Sequence, residues 1–453
     1  MAVWSEVKRI DVLEYNRLDS EFYRMDYITA INKVRLLGSK KIKQTGIHVV
    51  SGPFGSTLKS HSYLNEGIPF IRILDLKTFF ISNEQLIYIS EESNRRIRGS
   101  QLKAGDLVLS KVGNSIGLVS ILDDDYPIAN ISENNIGIKF SEHHSDRFKK
   151  FILTYLNSVY GQNEILRRRS GNAQPKLNVS DIYDIEIPYV SDTNLTIISE
   201  LVDNAGEKLK LSKSLYAQAQ SILEKELGLD QLVLKKTKSY EVSFSEVVGS
   251  HRIDALCFKP DYIDYEKYLR KRGNFDYLRD VLSSSIKGQQ AKPVVDGNLE
   301  YVSIKDIQGL EIYSKEKCRL TSKLRVAQKD DLLLAITGAT IGKIGAVSRS
   351  TKLAFSGDLL SLKTNAKIDP YYLLAVMSNS IGQSQCHRWI TGTTNGHLSP
   401  SDVNKIVIPR VSAETEKKIS QLMQLSIAKG LEMEQILEQA KERVENLIEG
   451  VIE

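Results

Sequence analysis

The sequence predicts an α/β (α+β) chain built as two tandem copies of one unit, each with a mixed β-sheet and helices. Three observations lead to this prediction. Short motifs recur in the same order in both halves of the 453 residues. Each half contains runs of branched residues that are typical of strands, followed by glycine turns. Each half then closes in a long segment with heptad-like spacing, which favours one extended helix.

Four pairs of motifs carry the internal repeat. They are Arg17–Ile28 with Arg252–Ile263, Phe70–Leu76 with Tyr301–Ile307, Asp106–Gly117 with Asp331–Gly342, and Gly171–Pro188 with Gly392–Pro409. The offset between the copies falls smoothly from 235 residues to 231, 225 and 221. Small deletions in loops produce such a drift, because loops tolerate changes of length. We therefore interpret the pattern as a duplication.

Equivalent elements are expected in the two copies. The sequence predicts strands at Phe70–Leu76 and Tyr301–Ile307, buried strands at Asp106–Ser110 and Asp331–Ala335, helices beginning at Phe148–Leu156 and Pro370–Ser378, and closing edge strands at Ile185–Pro188 and Ile406–Pro409. The Gly-x-x-Ile-Gly motif after each buried strand predicts a turn, because glycine tolerates a positive φ.

A long helix is predicted at the end of each copy. Ser191 and Ser412 stand at equivalent positions and are suitable N-caps. The helices are expected to cover about Asn194–Leu227 and Glu414–Val451. Both heptad series are apolar at their ends, polar in the middle and small at two matching places, so we expect the helices to pack as an antiparallel coiled coil.

Composition restricts the class of protein. Hydrophobic residues make up 41% and charged residues 26%, which is typical of globular domains. The N-terminal residues lack a secretory pattern, no apolar run could span a bilayer, and the three cysteines are isolated, so a cytoplasmic location is expected. The net charge of +5 permits a polyanionic partner.

Several enzyme signatures are missing from the sequence. The segment Gly338–Ile344 is one residue too short for a phosphate-binding loop, and Ile344 stands where that loop needs a hydroxyl group. The chain has no Pro-Pro pair, which amino-methyltransferases of DNA typically carry, and no dinucleotide-binding glycine fingerprint after a strand. Asp261, Asp264, Glu266 and Lys267 lie too close together for a nuclease site and are expected to form a solvated face. The histidines show no ligand spacing, so no metal site is predicted.

The ordered motifs resemble those of a known family. Two divergent copies that each close in Gly…Leu…Ser-Asp…Ile-x-Ile-Pro before a long helix are similar to the specificity (S) subunit of type I restriction–modification enzymes. Phe70–Asp75, Gly105–Val108 and the Gly-x-x-Ile-Gly turn also match recurrent phrases of that family. The resemblance covers nearly the whole chain.

The resemblance implies a division of the chain. Residues 1–190 would form an N-terminal target-recognition domain and 191–230 a central spacer helix, while 231–410 would form a C-terminal target-recognition domain and 411–453 a second spacer helix. Each domain would read one half of a split double-stranded DNA target. Because the copies differ, the target would be asymmetric and bipartite.

The resemblance also implies partners and cofactors. Two methyltransferase (M) subunits would dock beside the helices and carry S-adenosylmethionine. Restriction (R) subunits would join them in some complexes and use ATP and Mg for translocation and cleavage. The chain itself would bind no cofactor and no membrane and would catalyse nothing, as part of an antiviral defence system.

Candidate DNA contacts are polar and basic residues in matching places of the two copies. In the first copy they are Ser56, Thr57, Lys59, Ser60, Lys111, Arg167, Arg168, Arg169 and Lys176. In the second copy they are Lys287, Gln289, Gln290, Lys292, Lys343, Arg388, Thr393, Thr394, Asn395 and His397. The run Arg167–Arg169 is expected to contact phosphate or, alternatively, to be a solvated helix face. The loop after Gly171 and Gly392 recurs, so it is expected to serve structure, methyltransferase docking or DNA contact.

Three other functions compete with this interpretation. The chain could be the specificity subunit of a related methyltransferase or defence complex that is not type I. A stand-alone sequence-specific DNA-binding protein would need a reader such as a helix-turn-helix, which the sequence does not display. A self-sufficient enzyme would need the signatures that are missing.

Overall fold

The computed structural model divides into two compact units. It describes residues 6–7, 9–15, 17–53, 58, 63–171, 174–232, 239–307, 309–312, 314–349, 352–392 and 395–452. The first unit comprises residues 1–207 and 433–453, and the second comprises 208–432. Each unit therefore contains one copy of the repeat and a part of each long helix. The division that the sequence predicts keeps the helices as separate segments and stays a prediction.

The described part of the first unit contains six whole helices, parts of two long helices and three sheets. Its helices are α1 (Arg9–Tyr15), α2 (Met25–Leu36), α3 (Glu91–Arg96), α4 (Asp146–Asn157), α5 (Val159–Arg167), α6 (Val179–Tyr183), the start of α7 (Asp192–Leu227) and the end of α14 (Ala413–Glu449). Its strands are β1 (Ser39–Lys41), β2 (His48–Ser51), β3 (Ile68–Ile71), β4 (Phe79–Phe80), β5 (Ile87–Ile89), β6 (Leu102–Lys103), β7 (Leu107–Ser110), β8 (Val119–Ile121), β9 (Ile128–Ile131), β10 (Asn135–Lys139) and β11 (Glu186–Pro188).

The second unit repeats this order of elements. Its helices are α8 (Phe244–Ser250), α9 (Pro260–Arg272), α10 (Leu278–Val281), α11 (Pro370–Ser378), α12 (Ser380–Arg388), α13 (Pro400–Val403) and the start of α14 (Ala413–Glu449), with the end of α7. Its strands are β12 (Phe275–Tyr277), β13 (Leu282–Lys287), β14 (Leu299–Val302), β15 (Lys317–Cys318), β16 (Val326–Ala327), β17 (Leu332–Ala335), β18 (Ile344–Ala346), β19 (Leu353–Phe355), β20 (Leu359–Thr364) and β21 (Val407–Pro409).

The sheet topologies of the two units are equivalent except at β4, whose place in the second unit is taken by an isolated bridge between Glu311 and Ala346. The first unit has sheets with the strand orders β2-β10-β7-β8-β4, β5-β3-β9-β6 and β1-β11, and the second has β13-β20-β17-β18, β15-β14-β19-β16 and β12-β21. The pairs β3/β9 and β14/β19 are parallel at matching places in otherwise mainly antiparallel sheets. The mixed fold and the duplication that the sequence predicts are therefore confirmed.

The central strands are buried on both faces, which explains their short apolar runs. In β7, Leu107 and Leu109 enter one hydrophobic cluster and Val108 enters another. In β17, Leu332 and Leu334 enter one cluster, while the residue between them enters the next. Successive strand residues point to opposite faces, so a strand between two cores must be apolar at every position.

Each unit contains an antiparallel contact between the two long helices. In the second unit Lys208 of α7 forms an ion pair of 3.0 Å with Glu432 of α14. The hydroxyls of Ser212 and Ser426 donate to each other's backbone carbonyls at 2.8 and 2.9 Å. In the first unit Arg443 of α14 donates to Asn194 Oδ1 at 2.6 Å. Ser191 and Ser412 cap the helices as predicted, accepting from the backbone amides of residues 194 and 415.

The predicted strands at Phe70–Leu76 and Tyr301–Ile307 are too long. Each strand ends after Ile71 or Val302, and a turn of 3-10 helix follows. The carboxylates of Asp75 and Asp306 accept from the backbone amides of residues 72 and 303, at 2.8 and 2.7 Å. An aspartate that bonds to a backbone amide nearby stabilises a turn against a strand. The alternation of apolar residues does not reveal this competition.

We expect Gly161→Ala to destabilise the first unit. A Cβ at Gly161 would lie 2.0 Å from the carbonyl oxygen of Tyr155, so the junction of α4 and α5 would have to shift. Such overpacking costs about 1–3 kcal/mol, and calorimetry should show the unit melting several degrees lower. Gly99→Ala is the control, because a Cβ there meets nothing within 4 Å. Equal melting temperatures for both variants would contradict the tight junction.

Candidate nucleic-acid interface

In each unit a loop after the second helix of the α4/α5 or α11/α12 pair folds back onto the end of the central strand. We call residues 170–177 and 391–398 the return loops. In the first unit Lys176 forms bridges with Ser170 and with Val112, which follows β7. In the second unit His397 forms the same bridges with Thr391 and Thr337. The return loops therefore occupy equivalent places, beside the glycine turns.

The glycine that opens each return loop has a structural role. Gly171 and Gly392 have φ angles of 91° and 90°, in the left-handed region. A Cβ would lie 3.2 Å from the carbonyl oxygen of Gln174 in the first loop and 2.7 Å from that of Asn395 in the second. The recurrence of this glycine is thus explained by the tight loop, and it does not by itself indicate a ligand.

A glutamine fixes the glycine turn in both units. Gln162 Nε2 donates to the carbonyl oxygens of Gly117 and Leu156 at 2.8 and 2.7 Å. Gln383 makes the same two bonds, to Gly342 at 2.7 Å and to Met377 at 2.8 Å. The sequence reasoning did not single out either glutamine. Their separation of 221 residues, the same as that of the closing motifs, is the signal that could have found them.

The polar residues beside the return loop of each unit form what we call its rim. In the first unit the rim contains Lys111, Lys176 and Glu133. Lys111 Nζ donates to Ser51 Oγ at 2.6 Å. Burial lowers the pKa of Lys111, the nearby Glu133 opposes that shift, and Lys176 adds to it. Lys176 itself is exposed. This rim can offer ammonium donors to an acceptor such as a phosphate or a base edge.

The second unit has different groups at the same place. Asp358, the equivalent of Glu133, accepts from Thr337 Oγ1 at 2.8 Å and from Gln290 Nε2 at 2.7 Å. Gln290 Oε1 in turn accepts from the hydroxyl of Tyr301 at 3.0 Å. The orientation of Gln290 is therefore fixed. The predicted contacts Lys287, Gln289, Lys292 and Asn395 are exposed around it.

The structure contradicts the prediction that Arg167 and Arg168 contact DNA. Their side chains are 3% and 2% exposed and both form ion pairs with Glu164, at 3.3 and 2.6 Å. The guanidinium of Arg167 also lies 4.0 Å from the ring centre of Phe22. They form neither a solvated face nor a phosphate contact, because a buried guanidinium that is already paired cannot reach a ligand outside.

The structure also contradicts the predicted DNA contact at Arg388. Its side chain is 12% exposed and pairs with Glu266. The prediction that Glu266 belongs to a solvated face is therefore wrong. Arg388 Nε also donates to the carbonyl oxygen of Cys257 at 3.1 Å. The guanidinium thus ties helix α12 to the start of the copy. Arg169, by contrast, stays on the surface, with a side chain that is 35% exposed and paired with Glu21 at 2.8 Å.

The remaining predicted contacts divide into two groups. His397 and Lys343 are partly exposed beside the return loop and the glycine turn of the second unit. Ser56, Thr57, Lys59, Ser60, Thr393 and Thr394 lie outside the described residues. The structure therefore brings Lys111 and Lys176 together in one unit. In the other, Asp358 links Gln290 to Thr337, the bridge partner of His397.

A repeated arginine clamp explains the first motif of the duplication. Arg17 donates to the carbonyl oxygens of Arg168 and Arg169 at 2.8 and 3.1 Å, and its Nε donates to Asp19 at 2.8 Å. Arg252 donates in the same way to the carbonyl oxygens of Trp389 and Ile390, at 3.4 and 3.0 Å. The clamp satisfies carbonyls that the end of a helix leaves unpaired. It also sets where each return loop begins.

Metal-ligand groups and membrane-spanning helices are both absent from the described part of the chain. No group of three or more His, Cys, Asp or Glu residues there could hold a metal ion. No helix there is long and apolar enough to cross a membrane. Cys257, Cys318 and Cys386 are all buried as free thiols.

Comparison with known proteins gives structural similarity only. No family model matches the sequence, and no curated protein matches it. The S subunit of a type I restriction–modification system from M. genitalium has 14% identity and a TM-score of 0.39, covering 90% of this chain and 94% of its own. The HsdS subunit from Thermoanaerobacter tengcongensis has 14% identity and a TM-score of 0.29, covering 90% and 98%.

A partial match is also found. The type IIG restriction endonuclease BpuSI has 10% identity and a TM-score of 0.32, covering 44% of this chain and 30% of its own. These identities and TM-scores are too low to support an argument about function.

We expect Arg17→Ala to lower the stability of the first unit by about 1.5–3 kcal/mol, the range for hydrogen bonds to a charged group. Arg17→Lys should not restore it, because an ammonium lacks the planar fork that reaches two carbonyls. Thermal denaturation measures both effects. Arg24→Ala is the matched control, since its side chain is 44% exposed and its ion pairs with Glu21 and Asp26 are surface pairs. A loss for Arg24→Ala as large as that for Arg17→Ala would contradict the clamp.

Proposed function

We propose that the chain is the DNA sequence-specificity subunit of a type I restriction–modification complex. One observation supports this most directly: the two units share a scaffold and differ in the side chains around the return loop. The clamps at Arg17 and Arg252 and the glutamines 162 and 383 are the same in both. At the rim, Lys176 is replaced by His397, and the position of Lys111 is taken by Ile336, which is buried in the core and leaves no charge there. Two similar supports with unlike readers suit a target of two unlike halves.

The rim residues have the chemistry that DNA reading requires. Lysine, histidine, asparagine and glutamine offer the donors and acceptors that distinguish base edges in the major groove or bind phosphate. In the first unit Lys111 and Lys176 supply charge. In the second unit Gln290 is held by Asp358 and Tyr301, and a side chain fixed in advance reads a base edge with a smaller loss of entropy.

In this proposal the chain is non-catalytic. The first unit reads one half-site and the second reads the other, and the two long helices act as the spacer that sets the gap. Two methyltransferase subunits carry S-adenosylmethionine, and restriction subunits, where present, use ATP and Mg. A bipartite, asymmetric target follows from the divergence of the two rims.

A repeated exposed apolar position supports two copies of one partner. Leu18 is 90% exposed and its equivalent, Ile253, is 91% exposed. Leu13 and its equivalent Val248 are also exposed, at 69% and 52%. Single exposed apolar residues are common, but equal exposure at equivalent positions of a divergent repeat fits a surface that contacts the same protein twice. The proposed occupants are the two methyltransferase subunits.

The first test is a methylation map. The chain is co-expressed with the methyltransferase gene beside its own, and modified bases are mapped genome-wide. We expect a split motif of two unlike halves with a fixed gap. The variant His397→Lys, which takes the first unit's residue, should change or relax one base position of one half-site by about 1–3 kcal/mol of discrimination.

The reciprocal variant is the control for that test. Lys176→His should alter the other half-site and leave the first unchanged. If neither substitution changes either half-site, the return loops are not the readers. If no modification depends on the chain, the proposed function is wrong, and specific binding of the isolated chain to DNA would then favour a stand-alone DNA-binding protein.

The second test concerns the partner. We expect Leu18→Glu and Ile253→Glu each to remove one methyltransferase subunit from the complex, and the double variant to remove both. Burial of one such side chain is worth about 1.5–3 kcal/mol, and a carboxylate in its place would be desolvated. Native mass spectrometry measures the stoichiometry.

Leu36→Glu is the matched control for the partner test. Leu36 is 87% exposed, but its equivalent in the second unit is Lys271, so the apolar character is not repeated. We expect this variant to keep both methyltransferase subunits. Full occupancy for all the variants would refute the docking surface.

A further inference from the structure

The sheet β15-β14-β19-β16 of the second unit carries a cluster of basic side chains on β15 and in the segment that leads to β16. Five exposed residues on β15 and in the segments on either side of it form what we call the basic patch. They are Lys315, Lys317, Arg319, Lys323 and Arg325. Between residues 315 and 325 the sequence has one acidic residue, Glu316, which pairs with Lys305. The patch therefore has a strong local excess of positive charge.

Packing places the members of the patch around one small core. Cys318, which is 1% exposed, lies in a cluster with Tyr301 and Ala354, and Leu324 packs against the same cluster. Lys317 and Arg319 flank Cys318, while Lys323 and Arg325 flank Leu324. Since the inward residues share one cluster, their exposed neighbours surround it on the outside.

Most of the charge in the patch is not neutralised. Arg319 forms an ion pair with Asp296. In the described part of the chain the other four residues of the patch pair with no carboxylate. The nearby Glu300 accepts instead from the backbone amide of Ser314 at 2.5 Å.

The first unit does not share this charge at its equivalent positions. Ile68 pairs with Ile89 as Leu299 pairs with Cys318, so Leu86, Tyr88 and Ser90 are the equivalents of Lys315, Lys317 and Arg319. The arginines that follow in the first unit, Arg95 and Arg96, lie on α3 and pair with Glu91 and Glu92 of the same helix. The copies therefore diverge in charge on a shared strand.

The basic patch is continuous with the candidate interface. The backbone amide of Val294 donates to the carbonyl oxygen of Lys317 at 2.8 Å. Ala291 packs against the cluster beneath the patch, and its amide donates to the hydroxyl of Tyr301 at 3.1 Å. The segment that carries Gln289, Gln290 and Lys292 thus leads to the patch, and Asp358 links Gln290 to Thr337, which pairs with the return loop.

We propose that the basic patch binds the phosphate backbone of duplex DNA beside the half-site that the second unit reads, and that the first unit lacks this contact. The inference rests on the proposed function and adds an asymmetry to it: the second unit supplies more of the sequence-independent affinity. Lysines that neutralise phosphates release counterions, so this affinity depends steeply on salt. Base reading by the first unit then acts on DNA that the second unit already holds.

The experiment uses the complex with the methyltransferase and a fluorescent duplex that lacks the split motif. Binding is measured by anisotropy over a range of KCl concentrations. The variant Lys315→Gln/Lys317→Gln/Lys323→Gln removes three charges and leaves the pair of Arg319 with Asp296 intact. We expect the slope of log K against log salt to fall in magnitude by about 2–3, since each phosphate contact contributes about 0.9.

Arg95→Gln/Arg96→Gln/Arg98→Gln is the matched control, because it removes three exposed charges from the equivalent region of the first unit. Its slope should change by less than about 1. Equal slopes for the wild type and the lysine variant would overturn the inference and leave the proposed function standing. Loss of methyltransferase from the lysine variant at an unchanged slope would make the patch a protein contact and would also overturn it. A wild-type complex that binds no duplex would overturn both.

Discussion

The candidate interface depends on one side-chain amide in each unit. Gln162 and Gln383 each donate to two carbonyl oxygens, one in a glycine turn and one at the end of the preceding helix. The glycine turn follows the central strand, and the return loop pairs with the residue just before that turn. The amide thus joins helix, strand and loop. A half-buried amide with both bonds made stabilises one arrangement, whereas its loss would leave two carbonyl oxygens without this donor.

Repeated polar residues of this fold act on the backbone rather than on a ligand. Asp75 and Asp306 close the 3-10 turns, and Arg17 and Arg252 cover carbonyls at the ends of helices. Such contacts do not depend on what the protein binds, so they persist while the sequence around them diverges. The rim residues make few backbone contacts and differ between the copies. Repetition of buried or paired polar residues therefore identifies scaffold, and divergence of the polar residues around the return loops identifies a surface that is available for recognition.

Much of the fold could be predicted, because periodicity and duplication report on burial. The long helices at Asp192–Leu227 and Ala413–Glu449 begin and end within two residues of their predicted limits. The central strands and their turns were also predicted correctly. The site was harder to predict, because a side chain's charge does not reveal its direction. Arg167 and Arg168 have the positive charge that a phosphate contact requires, yet both are buried in ion pairs with Glu164. That pairing depends on helical spacing combined with tertiary burial, and the sequence alone displays only the former.

The buried cluster at Glu164 has a consequence for how the chain can evolve. At the equivalent positions the second unit has Gln385 and Trp389, and Gln385 exchanges two hydrogen bonds with the backbone of Val407. Recombination that exchanges a complete unit carries each network intact. A crossover between these positions of helix α5 and α12 would combine the buried guanidinium groups of Arg167 and Arg168 with the amide of Gln385, at a cost of about 3–5 kcal/mol for the uncompensated charge. The two units of this chain can therefore be exchanged as whole modules and resist exchange in fragments.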